Sequence, residues 1–193
     1  TSPAKWIAAH APQGAKIGYD AWLHGIGWAE EAEKLFAKKG IELVPVDGNP
    51  IDAIWDDRPE ASLAAAVPHA DEHAGRSSAD KRAEIADWLK NEGYDATVIS
   101  ALDSVAWLLN MRGTDVDNTP VSLSYVLAHA DGTAELFIAP DKVTPELTKH
   151  LGNAVTVRNR DEFQPALEAL KGKTVAVDPN HAVAGIFHAL AAG

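Results

Sequence analysis

The segment richest in chemically active side chains is the polar loop 112–120, which reads Arg-Gly-Thr-Asp-Val-Asp-Asn-Thr-Pro. The guanidinium of Arg112 can bind a carboxylate through two parallel hydrogen bonds, and Asp115, Asp117 and Asn118 add further acceptors and donors. The loop joins a predicted helix to a predicted strand, a place where scaffolds commonly carry functional groups. By pattern alone, the favoured alternative is a self-satisfied turn in which Arg112 pairs with Asp115 or Asp117.

His69 and His73 are the two side chains whose spacing could hold a metal ion. On a helix, positions four residues apart face the same side, as a zinc site requires. The pair follows Pro68, lies in a predicted linker and lacks the His-Glu-x-x-His order of zinc peptidases. A solvated loop is therefore favoured over a zinc-dependent hydrolase. His10, His24, His129 and His150 are scattered along the chain, and His181 and His188 are expected to be ordinary helix residues, so we predict no metal site in this chain.

The other possible catalytic motifs lack the sequence context that their chemistry requires. Gly172-Lys173-Thr174 ends like a phosphate-binding loop, but position 167 is Leu and a strand follows instead of a helix. There is no Gly-x-Ser-x-Gly nucleophile motif, and the chain has no cysteine. We therefore predict no catalytic residue. Five tryptophans fall on apolar helix faces and are expected to anchor the core: Trp6, Trp28, Trp55, Trp88 and Trp107.

Composition excludes several classes of protein. Of the 193 residues, 28 are acidic and 17 basic, which gives a formal net charge of -11. Such a surface repels phosphate backbones, so we expect no nucleic acid and no membrane as partner. The absence of cysteine excludes disulfides and thiolate-bound metals, and it fits a cytoplasmic location. No apolar run approaches the roughly 18–20 residues that span a bilayer. The missing initiator Met suggests a fragment.

Strands and helices are expected to alternate along the chain, which predicts an α/β fold. A hairpin turn at Asp131-Gly132 places one antiparallel pair among strand–helix units, so the sheet should be mixed with helices on both faces. Residues 14–20 and 172–178 both run from Gly through a strand to Asp between helices, a weak internal repeat. The expected division is 1–58 as the back half of a first copy, 59–75 as a linker and 76–193 as a second copy. A short helix is also predicted through Ile51, Ile54 and Trp55.

Residues 103–116 read Asp-Ser-Val-Ala-Trp-Leu-Leu-Asn-Met-Arg-Gly-Thr-Asp-Val and are followed by Pro120. This stretch resembles a signature of the Xaa-Pro aminopeptidases, also called aminopeptidase P. Further similar stretches follow in the family's order. They are Gly-Tyr-Asp-Ala-Trp-Leu-His at 18–24, Leu-Val-Pro-Val at 43–46, Asn-Pro-Ile-Asp at 49–52, Ile-Trp-Asp-Asp-Arg-Pro at 54–59, and residues 75–81. Ala21 in place of Pro and Met111 in place of Ile are mild departures.

The resemblance implies a fold and a domain plan. Large members of the family have two non-catalytic domains with the creatinase/prolidase N-terminal fold, a ribonuclease-H-like α/β layer. A third, pita-bread domain holds two metal ions, usually manganese, with two Asp, one His and two Glu. This chain would be the end of the first domain and all of the second. It would contain no catalytic residue, no metal ligand and no cofactor, and two divalent ions would lie in the missing C-terminal catalytic domain.

The resemblance also implies a function. The parent protein would be a metallopeptidase, a hydrolase that removes the N-terminal residue preceding proline. This chain would shape substrate access and support a homodimer. Trp107, Arg112 and Asp115 are the candidate substrate-access or interface residues. The alternative is a stand-alone binding or scaffold module without peptidase activity. The first hypothesis predicts a bare apolar patch, and the second predicts a polar surface throughout.

Overall fold

Strands and helices alternate through most of the chain, as the sequence predicts. The computed structural model describes residues 2–193. Two compact units can be separated. The first contains the residues up to Glu60 together with Pro179–His188, and the second contains Ala61–Asp178 and Ala189–Gly193. The segment 59–75, expected to be a linker, contains a short strand and a short helix of the second unit. The assignment of the first unit to half of a repeated fold stays a prediction.

In the first unit, two parallel strands pack against two helices. Ser2 caps the first helix through its hydroxyl, and Pro3 occupies the first helical turn, where its missing N–H has no cost. Ala8, Ala32, Phe36 and Ile41 form a buried cluster. The elements are α1 (Pro3–His10), β1 (Lys16–Tyr19), α2 (Ile26–Ala37) and β2 (Glu42–Pro45), with β1 paired to β2 from Lys16–Glu42 to Tyr19–Pro45.

The predicted short helix through Ile51, Ile54 and Trp55 is wrong. The segment forms turns, and the Asn49 side-chain oxygen accepts a hydrogen bond from the backbone N–H of Ile51. All three apolar side chains are exposed. A short helix is unstable unless it buries an apolar face, and this segment buries none.

The second unit contains the larger sheet. The strands of this unit are β3 (Val67–Pro68), β4 (Ala96–Ile99), β5 (Met111–Arg112), β6 (Ser124–His129), β7 (Ala134–Ile138), β8 (Val155–Asn159) and β9 (Val175–Val177). Five of them form the sheet in the order β8-β7-β6-β4-β9, with β4–β6 and β6–β7 antiparallel and β4–β9 and β7–β8 parallel. The other two, β3 and β5, form a separate antiparallel pair. The prediction of a mixed sheet is confirmed.

Helices cover both faces of this sheet. Leu136 and Ile138 of β7 belong to a buried cluster with residues of two helices, whereas the intervening Phe137 contacts Phe163. Successive strand residues point to opposite faces, so the helix that begins at Phe163 lies on the other side. The helices are α3 (Asp71–Ala74), α4 (Ser78–Glu92), α5 (Leu102–Leu108), α6 (Pro145–Leu151) and α7 (Phe163–Glu168), and α8 (Ala184–Ala192) begins in the first unit and ends in the second.

The expectation that five tryptophans anchor the core is wrong. Trp6, Trp28, Trp55, Trp88 and Trp107 are between 38% and 58% exposed. In α5 the buried stripe consists of Val105, Ala106 and Leu108, so Trp107 lies on the neighbouring stripe. Helical periodicity predicts that one face of a helix is buried. Successive residues are rotated by only about 100° around the helix axis, so the spacing of apolar residues does not show which of two adjacent apolar stripes is the buried one.

Candidate functional site

The turn between α5 and β5 positions the predicted site residues Trp107 and Arg112. Helix α5 ends at Leu108, and Asn110 then adopts a left-handed backbone conformation with φ 46°. The chain then enters β5, where Arg112 pairs with Val67 of β3. Short polar residues such as Asn are tolerated in this backbone region, and most others are strained there. The Asn of the Leu-Leu-Asn-Met-Arg stretch therefore reverses the chain.

The Asn110 side chain is buried and connects four segments of the second unit. Its Oδ1 accepts a hydrogen bond of 2.6 Å from Lys81 Nζ, and its Nδ2 donates to Asp71 Oδ1 and to the Arg76 carbonyl, each at 2.8 Å. Its carbonyl accepts the backbone N–H of His69 at 2.7 Å. A fully satisfied buried network of this kind holds a turn rigidly. The position of Arg112, two residues later, is therefore tied to α3 and α4.

Lys81 is buried beneath the Trp107 side chain. Its Nζ donates to the Trp107 carbonyl at 2.9 Å and lies 4.6 Å from the centre of the indole ring, in a cation–π arrangement. Burial lowers the pKa of Lys81, the nearby charges of Arg112 and Arg76 lower it further, and the charge of Asp71 partly opposes this effect. The ammonium forms no ion pair within 4.0 Å in the part of the chain that the structure describes.

Arg112 donates its hydrogen bonds to backbone carbonyls. Its Nη1 reaches the Ala106 carbonyl at 3.1 Å and the Met111 carbonyl at 2.9 Å. Among residues 2–193 no carboxylate lies within ion-pair distance of the half-buried guanidinium. The self-satisfied turn in which Arg112 pairs with Asp115 or Asp117 is therefore not what the structure contains. The charge of Arg112 is held in place and is not neutralised.

Asp115 is placed in the interior of the second unit. Its Oδ1 lies 2.6 Å from Lys142 Nζ, and the two side chains are 1% and 4% exposed. Its Oδ2 accepts the backbone N–H of Leu123 at 2.7 Å. Burial by itself would raise the pKa of Asp115, but the hydrogen bonds from Lys142 and Leu123 and the charge of Lys142 hold that pKa below its ordinary value. Asp115 thus anchors the loop 112–120 to the interior, whereas Trp107 is exposed and Arg112 is half-buried.

His69 lies close to this group of cations. Burial lowers the pKa of His69, and the charges of Arg112, His73 and Lys81 add to the effect. The ring centres of His69 and His73 are 6.0 Å apart, and His73 lies 3.5 Å from Glu72. No group of three or more potential metal ligands occurs within the described residues 2–193. We call His69, Lys81, Trp107 and Arg112 the Arg112 surface.

The Arg112 surface combines an exposed indole with the guanidinium of Arg112, for which no carboxylate among the described residues forms an ion pair. A cation in such a place binds carboxylate groups, and an indole covers an apolar group beside them. The sequence named Trp107 and Arg112 as candidates, and it did not indicate Lys81, Asn110 or Lys142. Asn110 offered one signal, a polar residue within the apolar run 105–111. Lys81 and Lys142 offered none, because their partners lie 26 or more residues away in the chain.

The fold defines the chain as a mixed-sheet α/β domain region, and the Arg112 surface places an arginine beside an exposed indole in its second unit. A family model for the creatinase/prolidase N-terminal domain matches residues 57–193. The chain belongs to that family, as its motifs predicted. No described helix is long and apolar enough to cross a membrane.

Xaa-Pro aminopeptidases are similar to nearly the whole chain. Aminopeptidase P2 of Arabidopsis thaliana is 35% identical over 182 residues, which cover 92% of this chain and 26% of that protein. A probable Xaa-Pro aminopeptidase P of Aspergillus niger is 35% identical over 167 residues, 86% of this chain and 27% of that protein. The chain therefore spans about a quarter of the length of these relatives.

A solved structure shows the same fold. The X-prolyl aminopeptidase of Caenorhabditis elegans, a cytosolic enzyme with a di-nuclear active site, superposes with a TM-score of 0.87. The match covers 96% of this chain and 31% of that enzyme, at 24% identity. At this identity the likeness is evidence for the fold, and it includes both units of the chain.

Proposed function

We propose that the chain is the non-catalytic N-terminal region of a metal-dependent Xaa-Pro aminopeptidase. The parent protein removes an N-terminal residue that precedes proline, and this region shapes the access of peptide substrates and the subunit contacts of a homodimer in the cytoplasm. The similarity to Xaa-Pro aminopeptidases over most of the chain supports this proposal. The cytoplasmic location is supported by the cytosolic relative of C. elegans.

The metal ions of this proposal belong to another part of the protein. The relative in C. elegans has a di-nuclear active site, whereas residues 2–193 bring together no set of three potential ligands. Two divalent ions, which we propose to be manganese, would be held by the C-terminal catalytic domain. When bound there, they would activate the attacking water. Within this chain, the role left to the residues is to bind and orient the substrate or the neighbouring domain.

The observation that carries the proposal is the unneutralised Arg112 beside the exposed Trp107. A charged hydrogen bond from Arg112 to a carboxylate of a peptide, or of the domain that frames the active site, would provide the missing counter-charge. In this arrangement Trp107 covers an apolar neighbour of that carboxylate, while Asp115 and Lys142 hold the loop. The side chains of Ile51, Ile54 and Trp55 are exposed. A stand-alone scaffold is expected to have a polar surface, so these residues favour a larger protein in which another part covers them.

The test is the variant Arg112→Met in the full-length protein that carries this chain. A hydrogen bond to a charged group contributes about 1.5–3 kcal/mol, so kcat/KM for Xaa-Pro peptides should fall by about 10- to 100-fold. Trp107→Ala should act in the same direction. The matched control is Arg160→Met, which removes an exposed guanidinium from a Tyr125 ring on another part of the second unit.

Peptides of different length show what Arg112 contacts. A loss confined to longer peptides indicates contact with the substrate, and an equal loss for all peptides with altered subunit association indicates contact with a domain or subunit. If Arg112→Met leaves substrate specificity, kcat/KM and oligomeric state at the values of Arg160→Met, the access role of the Arg112 surface is wrong. A parent protein that is folded, carries its metal and cleaves no Xaa-Pro peptide would favour the scaffold alternative.

A further inference from the structure

A cavity of about 340 Å³ lies within the second unit at the beginning of α4. Asp71, Ser77, Ser78 and Arg82 line it on one side, and residues 150–154, at the end of α6 and in the following turn, line it on the other. Its volume falls in the range of about 300–1,000 Å³ that is common for small-molecule sites. It shares no lining residue with the Arg112 surface.

Arg82 is a buried cation in the wall of this cavity. The residue is 9% exposed, and its Nη1 donates to the Gly132 carbonyl at 2.5 Å. Its Nε has no hydrogen-bond partner, and its guanidinium forms no ion pair among the residues that the structure describes. Burial lowers the pKa of Arg82, and no carboxylate offsets the effect. A buried guanidinium without a counter-charge is costly, and an anion in the cavity would remove that cost.

The first turn of α4 provides further donors beside Arg82. Ser77 caps the helix: its Oγ accepts the N–H of Asp80 at 3.1 Å, and its carbonyl accepts the N–H of Lys81 at 3.2 Å. The N–H groups of Ser78 and Ala79 have no partner within the helix. The Ser78 hydroxyl is buried and also has no partner. The positive end of a helix of 15 residues favours a bound anion.

Asp71 determines which anion fits. Its carboxylate lines the same cavity and already accepts a hydrogen bond from Asn110. A fully deprotonated anion would be repelled by this group. An anion that keeps one proton can donate it to Asp71 while its charged oxygens face Arg82 and α4. Phosphate groups, whose second pKa is about 6, keep such a proton at mildly acidic pH, and sulfate does not.

We propose that this cavity binds a small phosphate-bearing anion, either inorganic phosphate or a small phosphomonoester. Arg82, the Ser78 hydroxyl and the first N–H groups of α4 donate hydrogen bonds to its oxygens, and Asp71 accepts its remaining proton. The site is separate from the proposed peptide-access role and does not depend on it.

Calorimetric titration of the full-length protein with inorganic phosphate tests the proposal. Divalent metal is first removed with EDTA, so that phosphate does not bind at a metal centre, and ionic strength is kept constant with NaCl. Arg82→Met should weaken phosphate binding at least about tenfold, as expected for the loss of a charged hydrogen bond. Ser78→Ala should weaken it by a few-fold. The control Arg160→Met, an exposed arginine of the same unit, should bind as the unchanged protein does.

Two comparisons show that the anion is bound by this chemistry. The unchanged protein should prefer phosphate to sulfate, and Asp71→Asn should remove that preference, because the neutral amide no longer repels a fully deprotonated anion and its Nδ2 can donate to one. Glycerol 3-phosphate distinguishes the two sources: tighter binding than inorganic phosphate identifies a phosphomonoester, and weaker binding identifies the free ion. Ser78→Ala and Asp71→Asn keep the proposal testable if Arg82→Met does not fold. The proposal is overturned if no saturable phosphate binding occurs up to about 10 mM, or if Arg82→Met binds phosphate unchanged.

Discussion

Replacing Lys142 with methionine should strongly destabilise the second unit, because it leaves the carboxylate of Asp115 charged and buried. Lys142 Nζ lies 2.6 Å from Asp115 Oδ1 and 2.5 Å from the Ser62 carbonyl. With exposures of 4% and 1%, the two side chains are almost completely removed from water. In the variant, Asp115 keeps the hydrogen bonds from the Leu123 N–H and from the Ser62 side chain.

The expected magnitude follows from the burial of the pair. Removing one partner of a buried ion pair costs about 3–5 kcal/mol, whereas breaking an exposed pair costs about 0–1 kcal/mol. Methionine preserves much of the aliphatic volume of lysine, so the cavity contribution is small. The hydrogen bond from Leu123 still stabilises the carboxylate. We therefore expect a loss of about 3 kcal/mol in the free energy of unfolding at neutral pH.

Urea unfolding followed by far-UV circular dichroism measures this loss. Lys149→Met is the matched control, since Lys149 is an exposed residue of α6 and its replacement should change stability by less than about 0.5 kcal/mol. The double variant Asp115→Asn/Lys142→Met should recover part of the loss, because it removes the uncompensated charge. A loss below about 1 kcal/mol for Lys142→Met would show that the pair behaves as a surface salt bridge, and the assignment of Asp115 to a fastening role would be wrong.

Three further predictions concern this loop and the turn that precedes it. The pKa of Asp115 in the folded protein is lowered. The ionised Asp115 side chain therefore stabilises the fold above its unfolded pKa of about 3.9, and this contribution is lost as the pH falls through the folded pKa. The free energy of unfolding of Asp115→Asn should thus be lower at neutral pH and should fall less steeply on acidification. Gly113→Ala should cost about 1–3 kcal/mol in thermal unfolding, since an added Cβ overlaps the Ser122 Oγ and the Val121 carbonyl. Asn110→Ala should cost about 3 kcal/mol in urea unfolding, because alanine is strained at a positive φ and Lys81 loses an acceptor, whereas Asn118→Ala on the exposed loop should cost less.

The sheet of the second unit is predictable because its signals are local. The turn at Asp131-Gly132, where Gly132 has a φ of 88°, sets the antiparallel pairing of β6 and β7 from Ser124–Ile138 to Ala128–Ala134. Gly93 likewise ends α4 in a left-handed conformation, as a glycine after a periodic helix predicts. In both places one residue type with special backbone freedom determines the local structure.

The candidate site is only partly predictable because its remaining determinants are contacts between distant parts of the chain. Arg112 and Asp115 have complementary charges and lie three residues apart, so local spacing favours a pair between them. The structure instead pairs Asp115 with Lys142, 27 residues later, and surrounds Arg112 with carbonyls. Tertiary packing decides between such alternatives, and charge spacing within a loop carries no information about it.

The unpaired state of Arg112 is the strongest physical argument that the surface has a partner. The chain carries 28 acidic residues and only 17 basic ones, so carboxylates are in excess, and Asp117 lies in the same exposed loop without forming an ion pair with Arg112. Leaving a half-buried guanidinium without a counter-charge, next to Lys81 and an exposed indole, does not improve the stability of the isolated region. We propose that a group outside this surface provides the counter-charge in the working protein. A carboxylate that approaches Arg112 from a peptide or a neighbouring domain meets this requirement, and the arginine is already oriented for it by the Ala106 and Met111 carbonyls.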